Sequence, residues 1–150
     1  MIRSKPVRKL LLFSGIATIL LGLIIVFAIK SQNHTTTLSI GGQVLEVEIA
    51  NSSQKRSHGL CCRDSLAEDH GMLFVYDKPG DYRFWMKDTR IPLDMFWVNS
   101  SKQIVHIERD VQPSSYPKAY GTKEPAQYVL ETNAGFAQKY NIKNRDIVAF

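Results

Sequence analysis

The stretch that most constrains the fold is Phe84–Val98, which reads Phe-Trp-Met-Lys-Asp-Thr-Arg-Ile-Pro-Leu-Asp-Met-Phe-Trp-Val. It holds both tryptophans and two of the four methionines of the 150-residue chain. Two apolar runs, Tyr82–Met86 and Leu93–Val98, flank a polar segment that ends in Ile-Pro. That pattern predicts two strands joined by a structured loop, a core hairpin with Lys87–Arg90 at its tip. Side chains alternate along a strand, so Phe84 and Met86 take the opposite phase from Trp85, and one of these must point away from the core.

The flanking sequence carries the same signals. Leu38–Ile40, Gly41-Gly42 and Gln43–Ile49 read as a hairpin, because paired glycines suit the positive φ angles of a tight turn. Leu45, Val47 and Ile49 alternate with Val44, Glu46 and Glu48, which predicts one dry face and one mostly wet face. Asn51-Ser52-Ser53 caps a short helix running to about His58, with Gly59 as its stop. Further strands are expected at Met72–Tyr76, Ile104–Ile107, Pro125–Glu131 and Asp146–Phe150. A second short helix is expected at Ala134–Tyr140, and a long surface loop at Gln112–Lys123. Short, evenly spaced strands favour a mainly β fold: a compact antiparallel β-sandwich or barrel with one or two short helices.

Charge divides the chain. The formal net charge is +5, yet residues 1–30 hold five basic residues and no acid, while residues 31–150 hold fourteen of each sign. A neutral domain lacks the net positive face that counterion release requires, so nucleic acid is excluded as a partner. Leu10–Ile29 is a twenty-residue run without a charge. It matches the roughly 30 Å hydrocarbon core, which predicts a transmembrane helix ahead of the β domain. Four basic residues precede it and one follows, placing the amino terminus in the cytoplasm. No small-x-small cleavage site follows Phe27, so an uncleaved signal anchor is preferred to a signal peptide. The expected order is a cytoplasmic basic tail at 1–9, an anchor at 10–29, a linker at 30–37 and an extracytoplasmic β domain at 38–150.

Several segments together resemble a known family. They are His58-Gly-Leu-Cys-Cys-Arg-Asp-Ser-Leu66, Gly71-Met-Leu-Phe74, Phe84-Trp-Met-Lys-Asp-Thr89, Ile91-Pro-Leu-Asp94 and Tyr128-Val-Leu-Glu131, with Ala134-Gly135 and Ile142–Val148 behind them. These resemble the bacterial and archaeal domain-of-unknown-function 192 family over nearly all of residues 38–150. The resemblance implies a mostly β fold of jelly-roll-like or barrel type, and no established activity. The chain departs from the family pattern at Cys61-Cys62 and at Arg145-Asp146.

Each chemically suggestive group has a plainer reading beside it. Adjacent Cα atoms lie about 3.8 Å apart, below the usual disulfide range, so Cys61 and Cys62 are expected as buried, inert thiols first. A disulfide-linked homodimer comes next and a metal role last. His58, Cys61, Cys62 and His70 offer soft ligands, but at a spacing that matches no structural zinc pattern, and no cofactor is expected. Asp88 and Asp94 are the weak catalytic candidates, a carboxylate pair of the kind a hydrolase uses. Their plain reading is that Asp88 and Thr89 satisfy loop donors while Asp94 meets Arg63 or Arg90. Trp85, Lys87, Asp88, Thr89, Asp94 and Arg63 form the candidate ligand-binding set, since an aromatic face beside polar groups suits a sugar. The plainer and favoured reading of Trp85 and Trp97 puts both in the core, each indole N–H bonded to a loop carbonyl. The leading expectation is a non-catalytic module that binds a carbohydrate or envelope component. A hydrolase-type enzyme and a structural or assembly factor of the envelope are the alternatives.

Overall fold

The structure is a computed structural model that describes residues 35–150. The expected tail, anchor and linker, up to residue 34, lie outside the described residues. Among the described residues, no helix is long and apolar enough to cross a membrane.

Seven strands form one sheet: β1 (Thr35–Ile40), β2 (Gln43–Ala50), β3 (His70–Gly80), β4 (Leu93–Val98), β5 (Ile104–Val111), β6 (Ala126–Asn133) and β7 (Val148–Ala149). Two short helices, α1 (Ser53–His58) and α2 (Phe136–Lys139), interrupt the strand order. The sheet order is β5-β4-β6-β3-β2-β1-β7. It curls into a half-barrel. At one end the carboxy-terminal segment joins the two edges: Ile40 pairs with Val148, while Val148 donates to the Lys102 carbonyl and Ile104 to that of Asp146, both at 2.9 Å.

The mainly β expectation holds, with corrections. The β1–β2 hairpin turns at Gly41 and Gly42, both at positive φ, with Ile40 opposite Gln43. β1 starts at Thr35, so the end of the expected linker is strand: its β-branched threonines pair with Glu46–Glu48. The sheet is mixed rather than antiparallel, because β2 and β3 run parallel. The connection that carries α1 is long enough for the crossover a parallel pair needs. One curled sheet, covered on both faces, replaces the two packed sheets of a sandwich or jelly roll.

The Phe84–Val98 hairpin does not form. β4 lies between β5 and β6, and Phe84 instead makes an isolated bridge to Tyr120. The segment containing Phe84 and Met86 covers one face of the sheet. There the two side chains join a cluster with Met72, Phe74, Leu93, Met95, Trp97 and Val129. The second cluster, on the opposite face, contains Leu38, Leu45, Val47, Phe96, Leu130, Phe136 and Val148.

Gly71 sets how closely β3 approaches β6. A Cβ at this position would stand 2.6 Å from the Glu131 carbonyl oxygen, a backbone atom that cannot swing aside. Gly71→Ala therefore forces the two central strands apart. We expect it to lower stability by about 2 kcal/mol in urea unfolding, the usual scale of overpacking. An unchanged midpoint would contradict the close approach.

Candidate functional site

A cavity of about 610 Å³ opens between α1 with the turn that follows it and the covering segment 83–89. Its closed end is formed by Phe74, Tyr76 and Glu131 from the sheet. Local interactions fix both walls. The Ser52 hydroxyl accepts from the Lys55 amide at 3.2 Å and starts α1, and Gly59 at φ 54° ends it. Arg56 then donates to the Val75 carbonyl at 3.0 Å and lies over the Tyr76 ring, pinning α1 to β3. On the other wall Phe84 and Tyr120 exchange two backbone hydrogen bonds, and Phe84 packs edge-on against Phe74 at 4.7 Å. The two walls are tied together where the Cys62 amide donates to the Asp88 carbonyl at 2.9 Å.

The expected ligand-binding residues divide. Trp85, Lys87, Asp88 and Thr89 line the cavity. Trp85 is 56% exposed and meets Tyr116 edge-on at 6.2 Å, while Trp97 is fully buried and donates its indole N–H to the Tyr82 carbonyl at 2.8 Å. The alternation of Phe84, Trp85 and Met86 thus turns one tryptophan outward, although the segment is not a sheet strand. Arg63 and Asp94 are not among the lining residues. Arg63 donates twice to Glu48, at 2.5 and 3.0 Å, and that hydrogen bond, more than the accompanying charge attraction, raises its pKa.

Asp94 is a correction. It meets neither Arg63 nor Arg90; the latter pairs with Asp64. Its carboxylate is wholly buried and accepts from the amides of Asp110 and Ala137, each at 2.8 Å. It fastens β5 and α2 to β4, so Asp88 and Asp94 do not face one cleft as an acid-base pair.

The cysteines are the second correction. Cys61 and Cys62 are bonded to each other, with Cα atoms 3.8 Å apart, so neither sulfur is free in this state to ligate a metal or to link a second chain. His70 stands 2.7 Å from Asp69, while His58 and Cys61 line the cavity. Among the described residues no group of three or more His, Cys, Asp or Glu side chains is placed to hold a metal ion.

Glu131 was not a candidate from sequence. It lies opposite Met72 on β3 and Met95 on β4, on an apolar face, and is 5% exposed. Its carboxyl has no hydrogen-bond partner among the described residues. Burial pushes its pKa up to about 8, so it is predominantly protonated at neutral pH. Tyr76 beside it is pushed up to about 12, chiefly by burial, and also stays neutral. The signal available in sequence was a lone acid in Tyr128-Val-Leu-Glu131, at a strand position in phase with Val129. That phase marks it as inward-facing.

The model of the domain-of-unknown-function 192 family (DUF192), described as an uncharacterized ACR, matches residues 36–150. The chain belongs to this family. Two solved structures share the fold of this DUF192 domain. A protein of Sinorhizobium meliloti 1021, provisionally described as a transcription regulator, is 32% identical with a TM-score of 0.73, over 77% of this chain and 93% of its own. A protein of unknown function from Novosphingobium aromaticivorans DSM 12444 is 29% identical with a TM-score of 0.76, over 80% and 88%. No curated protein matches the chain.

Two outcomes test these assignments. Asp94→Ala leaves two amides without their acceptor and is expected to cost about 3 kcal/mol in urea unfolding. A change within experimental error would remove its structural role. Glu131 gives a pH signature. Its folded-state pKa is raised, so between about 4.5 and about 8 the folded state holds a proton that the unfolded state has released. Its contribution to stability therefore falls as pH rises, by up to about 1.4 kcal/mol per pH unit in that window, and is level above it. Glu131→Gln should remove that decline, read as the difference between the two proteins' pH profiles, and parallel profiles would contradict a buried, proton-bearing Glu131.

Proposed function

We propose that this DUF192 domain is a non-catalytic binding module for a small oxygen-rich ligand, a carbohydrate or related envelope component, held outside the cytoplasm by an anchor at residues 10–29. The observation that carries the binding reading is the half-exposed Trp85 beside a cavity that also presents Arg56, Arg83, Lys87, Asp88 and Thr89. An aromatic face within a mostly polar concavity offers stacking and several hydrogen bonds to one small hydroxylated ligand. Support for the location comes from the uncharged run Leu10–Ile29 with its basic flank, and from a Cys61–Cys62 disulfide, which suits an oxidising compartment.

A hydrolase reading is weakened because Asp94 is committed to backbone amides away from the cavity. The regulator description attached to one structural neighbour finds no support in charge, since residues 31–150 are balanced at fourteen basic and fourteen acidic residues.

The test is a thermal-shift and calorimetric panel of envelope saccharides on the full chain in detergent. A ligand at 100 times its Kd adds about 2.7 kcal/mol to the folded state and gives a measurable rise in Tm. Trp85→Ala should leave the unliganded Tm within about 1 °C, because the ring is largely exposed, and should weaken binding at least about tenfold. Ligand-induced shifts that survive this substitution would place the binding surface elsewhere.

A further inference from the structure

We propose that the cavity takes an anionic, hydroxyl-rich ligand, a carboxylated sugar, whose carboxylate hydrogen-bonds the Glu131 carboxyl at the end formed by the sheet. This rests on the ligand-binding reading above and adds to it the ligand's charge and the residue that reads it.

Geometry comes first. Glu131 lines the cavity, is more than nine-tenths buried, and has neither an ion-pair nor a hydrogen-bond partner among the described residues. Its carboxyl oxygens are not sealed off, since Ser115 Oγ alone among the described residues is a fully enclosed side-chain polar atom without a partner. They are open to the cavity, and a ligand atom there can take the place of water as their partner. The neighbours across the sheet are Met72 and Met95, which offer neither charge nor donor. A carboxyl in such surroundings keeps its proton, and it then presents one O–H donor with acceptor capacity to spare.

Charge comes second. Three basic side chains, Arg56, Arg83 and Lys87, line the cavity against two carboxyl groups, Asp88 and the protonated Glu131. Arg83 is shared with Asp81 and Arg56 is turned toward β3, whereas Lys87 has no ion-pair partner among the described residues. An excess of positive charge around a concave site draws anions. A cationic ligand would cross the same rim unfavourably and meet a neutral acid. A carboxylate ligand gains both from the rim and from the Glu131 O–H, a charge-assisted donor pair.

The pH dependence follows. Titratable or charged groups facing the cavity are Tyr76 from β3, Arg56 and His58 from α1 and its end, and Arg83, Lys87 and Asp88 from the covering segment. His58→Asn serves as the control for the imidazole on the same walls.

The experiment is calorimetric titration of the full chain with glucuronate, galacturonate, glucose and glucosamine, from about pH 6 to about pH 9. The uronates should bind more tightly than glucose. Their Kd should rise about tenfold from about pH 7 to about pH 9 as a group at about 8 loses its proton. Glu131→Gln retains an uncharged donor, so it should keep the affinity and lose the pH dependence; His58→Asn should keep both. Glu131→Leu should lose affinity, and if it does not fold, the wild-type and Gln series still decide. Tighter binding of glucosamine than of the uronates would overturn the proposal in favour of an ionised Glu131 paired with a cation. Glucose and uronates binding alike, without pH dependence but abolished by Trp85→Ala, would overturn it and leave the binding module standing. No saccharide binding at any pH would sink both readings.

Discussion

Much of this structure depends on β4 being buried along its whole length and on both faces. Leu93–Val98 has no exposed position, so the strand must lie inside the sheet and each face must find its own cover. Leu93, Met95 and Trp97 enter one apolar cluster, and Phe96 and Val98 enter the other. The one polar residue in the run cannot remain unpaired in that environment. Asp94 therefore draws two backbone amides to itself, one from β5 and one from α2, and so fixes what covers the second face.

Glu131 is the counterpart of Asp94 on the neighbouring strand. Asp94 stands opposite Thr132 and Met95 opposite Glu131, so the two carboxyls occupy adjacent rungs and point to opposite faces. One is satisfied by amides and ties elements together. The other is surrounded by sulfur and aromatic carbon and opens onto a cavity. Adjacent rungs of the same sheet thus separate a structural acid from a functional candidate. The distinction comes from what the chain brings against each face, since the residue types alone are nearly equivalent.

That difference explains how far the sequence could be read. Period-two alternation located β2, the glycine pair marked its hairpin, and Ser52 and Gly59 bounded α1, because these signals are local. Both tryptophans were expected in the core; Trp97 is there, but Trp85 is turned outward, as the phase of Phe84 and Met86 allows. The pairing of β4 with β6 and the parallel contact of β2 with β3 were not legible, because they join segments far apart in sequence. Tyr82–Met86 has the composition of a strand, yet it serves as the cover of one. Asp94 looked chemically available because an Ile-Pro-Leu-Asp run does not reveal which amides will reach it. Glu131 was overlooked for a similar reason: its phase with Val129 marks it as inward-facing, but only the pairing with Met72 and Met95 shows that its surroundings are apolar. The adjacent cysteines were expected as thiols on Cα spacing alone, and spacing does not include the turn after α1 that brings their sulfurs together.

The way the cavity is held bears on what it can recognise. α1 is attached to β3 through Arg56, and the turn beyond it is attached to β2 through Arg63 and Glu48. The covering segment is attached through Phe84 to Tyr120 and through Asp88 to Cys62. None of these attachments requires a ligand, so binding need not order the walls, and the conformational cost of association is confined to a few side chains. Lys87, Trp85 and Arg83 are among the exposed side chains that would lose freedom. Glu131, buried between Met72 and Met95, has less freedom to lose. A hydrogen bond to it carries little entropic cost, whereas contacts with the rim must offset the ordering of long side chains. On the proposed binding reading, discrimination among ligands would fall mainly to the buried acid, and capture of ligands mainly to the exposed tryptophan and its basic neighbours.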